Sequence, residues 1–258
     1  MGAASNPWFS VPVPLGGAAR LRLYCFPYAG AGHTVYQHWC DRLGEGVEVA
    51  LVKLPGRGAR FNEPRAESLA ELAEALAQAI AGGQSATQPF ALFGHSMGAL
   101  LAFETARALR GRGLAPSALL VSARTAPAAH GWRERVCDLP AAQFLEVIRG
   151  MNGLPQEVLD NPEWLDLFLP IIRDDFALCE DYRYSAAPPL SCPIHVLAGQ
   201  ADAGVPVPLL AGWTEETTGD CRTWLFPGGH FYLFEQEAEL LGLLQRLLAT
   251  NEARHATG

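Results

Sequence analysis

The stretch from residue 89 to 113 reads PFALF, then GHSMG, then ALLAFETARALRGRG. A short apolar and aromatic run, a glycine-flanked serine and apolar positions at helical spacing closing on Gly113 predict a buried strand, a tight turn and a helix. Few architectures accommodate that join. A G-x-S-x-G turn between strand and helix lifts the serine side chain off the end of the strand, and the flanking glycines leave room for the two elements to meet. The five-letter string alone is common by chance; the strand before it and the helix after it give it weight. Ser96 is therefore the candidate nucleophile.

The flanking sequence repeats the same alternation. LRLYCF (21–26), VEVALV (47–52), ALLVSA (118–123), PIHVLAG (193–199) and CRTWLF (221–226) read as short strands bounded by Gly and Pro. Ser68 and Glu71 form a capping box ahead of Leu69, Leu72, Leu76 and Ile80, one apolar helical face. PLLAGWTEE (208–216) and EQEAELLGLLQRLLA (235–249) read as later helices. Strands alternating with helices predict the α/β class, with a mostly parallel sheet covered by helices on both faces. From about 127 to 189 the pattern changes to helical stretches, AAQFLEVIRG and PEWLDLFLPIIRDDFALCEDY, which predict a helical lid inserted into the sheet domain. With 258 residues, 49% of them apolar, the chain suits one domain spanning 1–258. With the serine turn, the expected architecture is the α/β-hydrolase fold.

Charge and cysteine usage exclude several classes. Asp and Glu outnumber Lys and Arg by 27 to 19, so nucleic acid is not an expected partner. The six cysteines contain no C-x-x-C pair, which predicts reduced thiols and no metal site. No apolar stretch has membrane-spanning length, and the N-terminus lacks the basic-then-apolar signature of a secretion signal. Met1-Gly2 fails as a myristoylation signal because Asn6 stands where Ser or Thr is required. A cytoplasmic monomer with a free N-terminal arm is expected.

A serine hydroxyl needs a base to take its proton and a carboxylate to orient that base, following in this fold in the order Ser, acid, His. Asp202 lies just past one late strand and His230 on the loop after the next. Asp174 and Asp175, in the lid, are the alternative acids. His95 is expected to pack or hydrogen-bond locally, and His33, His38, His130, His195 and His255 to be structural. The oxyanion formed on attack needs preorganised donors: the Met97 amide after the nucleophile, and the Ala29 amide in the glycine-rich loop FPYAGAG (26–32).

Six strings in order, LYCFPYAGAG (23–32), LPGRGAR (54–60), LFGHSMGALLAFETA (92–106), IIRDDFALCEDYRY (171–184), CPIHVLAGQAD (192–202) and FPGGHFYL (226–233), resemble the type II thioesterases that accompany polyketide and nonribosomal peptide assembly lines. The resemblance covers nearly the whole chain. It implies hydrolysis of acyl groups from the phosphopantetheine thiol of acyl or peptidyl carrier proteins, clearing stalled or misprimed chains, with no cofactor of the enzyme's own. It also places the acid at Asp202, in the G-x-x-D segment from Gly199. The loop AGAG, where many relatives have AGG, and Ala203-Gly204-Val205-Pro206 after the acid depart from the family pattern. Apolar lid residues such as Trp164, Leu165, Phe168, Leu169 and Ile172 are expected either to wall an acyl chamber, with Trp164 and Phe168 as the substrate contacts, or to be the lid's own core, and the lid is expected to move to admit the pantetheine arm. Arg57, Arg60 and Arg65 are either a solvated loop or a contact for an acidic carrier or its phosphate. A small-molecule esterase or lipase with the same triad, and a carrier-binding protein with an idle serine, are the competing functions.

Overall fold

The apolar runs of the sequence assemble into one seven-stranded sheet, in a computed structural model that describes residues 6–84, 88–129, 135–151, 153–154 and 156–255, with side chains described as far as residue 249. The strands are β1 (Phe9–Ser10), β2 (Leu21–Phe26), β3 (Val47–Val52), β4 (Phe90–His95), β5 (Ala118–Ser122), β6 (Ile194–Gly199) and β7 (Cys221–Phe226). They lie in the order β1-β3-β2-β4-β5-β6-β7, with β1 antiparallel to β3 and every other pair parallel. This is the α/β-hydrolase arrangement expected.

The inner strands are buried from end to end because helices cover both sheet faces. On one face Tyr24, Phe26 and Leu92 pack with α1 (Leu69–Gly83) and α2 (Met97–Arg110). On the other, Leu23, Cys25 and Phe93 pack with Leu240, Leu244 and Leu248 of α7, the last helix (Glu237–His255). Ser68 caps α1, its hydroxyl accepting from the Glu71 amide at 3.2 Å, and the face Leu69, Leu72, Leu76, Ile80 is the buried one.

The N-terminus differs from the free arm expected. Phe9 and Ser10 pair with Val52 and Leu51, and Lys53 N–H donates to the Trp8 carbonyl at 2.8 Å. The Phe9 ring lies 5.0 Å from Tyr24, and the Arg60 guanidinium stacks 3.9 Å over Trp8. A two-residue strand carries no periodicity to read. Residues 1–5 lie outside the described residues.

Between β5 and β6 the chain carries α3 (Ala141–Gly150), α4 (Gln156–Leu159) and α5 (Pro162–Glu180), packed around a small core of Phe144, Ile148 and Ile172. Val207–Glu216, expected as a helix, forms 3-10 turns instead. Gly212 within it weakens a continuous α-helix, and Trp213, fully buried, pins the segment by donating to the Arg124 carbonyl at 2.9 Å. The expected helix 235–249 falls on α7 from Glu237 onward, with Glu235 closing a separate short helix, α6 (Tyr232–Glu235). Among the described residues no helix is long and apolar enough to cross a membrane, and no cluster of His, Cys, Asp and Glu could hold a metal ion.

The strand order reverses between β2 and β4. From β2 the chain turns to β3 on one side, and from β4 to β5 on the other. The two loops leaving the carboxyl ends of β2 and β4 diverge there, and ligands of open α/β sheets occupy such crevices.

Candidate active site

Ser96 is the joint between β4 and α2, with φ 55 and ψ -115. Among the described residues only Ala123 shares a positive φ without being glycine. A non-glycine residue so held costs about 1–3 kcal/mol and persists only where its surroundings over-determine it. Here Ser96 N–H donates to the Ser122 carbonyl at 2.8 Å, and its own carbonyl accepts from Ala99 N–H at 3.1 Å. The flanking glycines are required by contact. A Cβ on Gly94 would lie 2.0 Å from the Gly98 oxygen, and one on Gly98 would lie 2.3 Å from the Phe26 oxygen and 2.7 Å from that of Pro27. The first turn of α2 therefore presses on the end of β2. Gly98→Ala should destabilise the fold by on the order of 3 kcal/mol, because backbone rather than a flexible side chain would have to move. Urea unfolding checks this; an unchanged midpoint would contradict it.

Asp202 and His230 are brought together by the ends of β6 and β7. A Cβ on Gly199 would lie 2.2 Å from the Gly229 oxygen, so the acid loop and the histidine loop run in backbone contact. Gln200 N–H donates to the Phe226 carbonyl and Ala201 N–H to that of Gly228, each at 2.9 Å. Asp202 Oδ2 then lies 2.7 Å from His230 Nδ1. Its Oδ1 accepts from the Gly204 amide at 2.9 Å, so the carboxylate is held at both oxygens. Gly204, in the Ala203-Gly204-Val205-Pro206 stretch that departs from the family pattern, thus helps to hold the acid, a role that the short D-x-G turn marks.

Ser96 and His230 line one partly open cavity together with Tyr28, Ala29, Ile148, Met151, Gly153, Ile172, Phe176 and Phe231. The walls are apolar apart from Tyr28, whose phenol burial pushes up to about 12. Ala29, the expected oxyanion donor, is thus beside the serine, and Met97 opens α2 directly after it. Trp164 and Phe168, expected at the acyl chamber, do not line this cavity. Trp164 is 47% exposed on the outer side of α5, and Phe168 packs on the lid's own core. Of positions 164, 168, 172 and 176, spaced four apart along α5, only Ile172 and Phe176, towards its carboxyl end, line the cavity.

Asp174 and Asp175 do not approach His230. Asp174 pairs with Arg65, and Asp175, buried, receives the Arg57 guanidinium. Arg60 is bound to Glu63. The three arginines are therefore committed within the molecule, and Arg57 and Arg60 are buried rather than forming a solvated loop or carrier contact. Of the other histidines, His38 pairs with Glu237 at the surface and His195 is buried in β6. His130 and the side chain of His255 lie outside the described residues.

His95 hydrogen-bonds locally. Its Nδ1 lies 2.9 Å from Ser122 Oγ, which lies 2.7 Å from the Tyr232 hydroxyl. The ring is fully buried, 5.2 Å from that of His230. Burial holds its pKa well below 6.5, and His230 adds in the same direction. His95 is therefore neutral in the fold, while in the unfolded chain it takes up a proton below pH about 6.5. The unfolded state binds the extra proton, so stability falls as pH drops below about 6.5, with a slope approaching about 1.4 kcal/mol per pH unit from this group. Urea unfolding across that range should show a shallower slope for His95→Gln than for wild type; equal slopes would contradict the assignment.

Comparison with known proteins is consistent along the chain. The thioesterase domain profile matches residues 21–248. The chain is 36% identical over 244 residues to the gramicidin S biosynthesis protein GrsT of Aneurinibacillus migulanus, covering 94% of each protein. It is 37% identical over 244 residues to thioesterase PikA5 of Streptomyces venezuelae, covering 92% of this chain and 84% of that one. Among solved structures, the type II thioesterase BorB from the borrelidin biosynthetic cluster superposes with a TM-score of 0.87 at 36% identity, covering 97% of this chain and 99% of BorB.

Proposed function

The chain belongs to the thioesterase domain family, and from that membership we propose that it is a serine thioesterase that releases acyl groups from the phosphopantetheine thiol of carrier proteins, clearing stalled or misprimed polyketide and nonribosomal peptide assembly lines. The observation that carries the serine mechanism is the Asp202–His230 hydrogen bond of 2.7 Å at a cavity whose wall also holds Ser96 in its strained turn. Asp202 keeps the proton on His230 Nδ1, leaving Nε2 as the base. Ser96 Oγ attacks the thioester carbonyl as its proton passes to Nε2, and the oxyanion is received by the Ala29 and Met97 amides. Collapse breaks the C–S bond, and the imidazolium returns the proton to the departing thiol. Water, deprotonated by the same base, then clears the acyl-serine.

The chemistry proposed needs no cofactor of the enzyme's own, because the thioester is already activated and the pantetheine belongs to the carrier. The apolar wall of Ile148, Met151, Ile172, Phe176 and Phe231 suits an acyl chain. We take the enzyme to be a cytoplasmic monomer that meets its carriers in trans, a state sedimentation would test. The deciding experiment measures acyl release from phosphopantetheinylated carrier protein, from free acyl thioesters and from oxygen esters. Faster turnover of carrier-bound thioesters than of esters is expected. Preference for oxygen esters would favour a small-molecule esterase, and no turnover with an unlabelled Ser96 would favour a carrier-binding protein.

A further inference from the structure

The oxyanion loop is joined to the lid through a single buried carboxylate. Asp175, on α5 and 1% exposed, accepts from Arg57 at both oxygens, at 2.5 Å to Oδ1 and 2.6 Å to Oδ2. Oδ2 also accepts the Gly30 backbone N–H at 2.7 Å. Arg57 Nη1 in turn donates to the Ala31 carbonyl at 3.3 Å. Three segments distant in sequence, the loop after β2, the LPGRG loop after β3 and the lid helix, therefore meet at one side chain that takes no part in the proposed proton transfers.

The position of that bond matters. Ala29 lies between two peptide planes. The first contains the Tyr28 carbonyl and the Ala29 N–H, and it is fixed within the loop, since Ala31 N–H donates to Tyr28 O at 3.0 Å. The second contains the Ala29 carbonyl and the Gly30 N–H, and it is fixed from the lid by Asp175. Gly30 has φ +81, and a Cβ there would lie 2.5 Å from Ile172 Cγ1, so the loop also rests directly against α5. A donor aimed at a developing oxyanion must be preorganised to contribute fully, because reorientation during the reaction consumes the stabilisation it offers.

We propose that Asp175 is a positioning residue for the oxyanion hole: by holding the Gly30 amide it seats the turn that carries the Ala29 N–H, as a unit, against α5, so that this donor is correctly placed only while α5 is seated on the loop. The inference rests on the proposed role of Ala29. It ties the lid to the chemical step and not only to the shape of the acyl chamber. Asp175→Asn keeps the volume but cannot serve Gly30 and both arms of Arg57 with its one remaining carbonyl oxygen. Losing an oxyanion donor outright costs about 100- to 1,000-fold in kcat; a misdirected donor should cost less, on the order of 30-fold.

The test uses the full-length enzyme on a free acyl thioester, with a trifluoromethyl ketone analogue as an oxyanion-forming inhibitor and the corresponding unreactive thioether as a ground-state mimic. In folded Asp175→Asn, kcat and affinity for the ketone should fall together by about 30-fold, with KM and thioether affinity within about twofold of wild type. A merely structural role would move all four. Unchanged kcat and ketone affinity, or a raised KM with unchanged kcat, would overturn the proposal. Should the variant fail to fold, amide hydrogen exchange on wild type decides: Gly30 exchanging in step with the buried amides of α5 supports the tie, and Gly30 exchanging independently and faster overturns it. Absence of thioester turnover by wild type would instead count against the thioesterase reading, so the two failures are distinguishable.

Discussion

Replacing Ser96 by alanine is expected to lower kcat for thioester release by roughly 10⁴-fold or more, since without the hydroxyl neither the acyl-enzyme nor its two-step path exists. Single-turnover release from an acylated carrier measures it, and a fluorophosphonate probe should label wild type alone. The loss should not come from unfolding. The Ser96 backbone is held by its hydrogen bonds to Ser122 and Ala99, which alanine keeps. The strain at φ 55 makes a sharper version available. Ser96→Gly removes the Cβ from a conformation costing about 1–3 kcal/mol, so it should be as inactive as the alanine variant while unfolding at higher urea. Activity retained in either variant would assign the nucleophile elsewhere. A glycine variant less stable than wild type would show that the turn is not strained.

Asp202→Asn should lose on the order of 10³- to 10⁴-fold in kcat with little change in stability, for a reason visible in the two bonds of the carboxylate. Asp202 accepts from the Gly204 amide at Oδ1 and faces His230 Nδ1 at Oδ2. Asparagine has only one acceptor oxygen. Turned toward Gly204, it keeps that backbone donor satisfied but offers His230 an amino group, which forces Nδ1 to accept and leaves the proton on Nε2. An Nε2 that carries its proton cannot take one from Ser96. The opposite orientation sets two donors against each other at Gly204. Steady-state kinetics beside nitrogen-15 shifts of the imidazole would read both the rate and the tautomer. Wild-type rates in the variant would require another acid, and the alternatives in the lid, Asp174 and Asp175, are already bound to Arg65 and Arg57.

Much of the sheet was legible because its inner strands are buried on both faces and so read as unbroken apolar runs between Gly and Pro. LRLYCF and VEVALV fall on β2 and β3 with matching bounds, and CRTWLF matches β7, although that edge strand is largely exposed. Where neighbours outweigh local pattern, the reading diverged. The segment containing Trp213 has apolar residues at helical spacing, yet it lies in 3-10 turns, with Gly212 inside it and the buried tryptophan tied to the Arg124 carbonyl. The strand at Phe9–Ser10 exists because the edge of β3 offers unpaired backbone groups, a fact stored in β3 and not in the two residues.

The site divides in the same way. Sequence alone determined the serine turn, the order of acid and base, and the glycine-rich loop after the first long strand, because those depend on backbone conformations that few residue types can adopt. Pairing was decided only by tertiary structure. Whether Arg57, Arg60 and Arg65 faced solvent or carboxylates, which face of α5 met the cavity, and that Asp175 binds the oxyanion loop instead of His230 all depend on packing between segments far apart in the chain. A side chain's type limits the bonds it can make, but which partner comes within about 3 Å is fixed only once the helices have seated on the sheet.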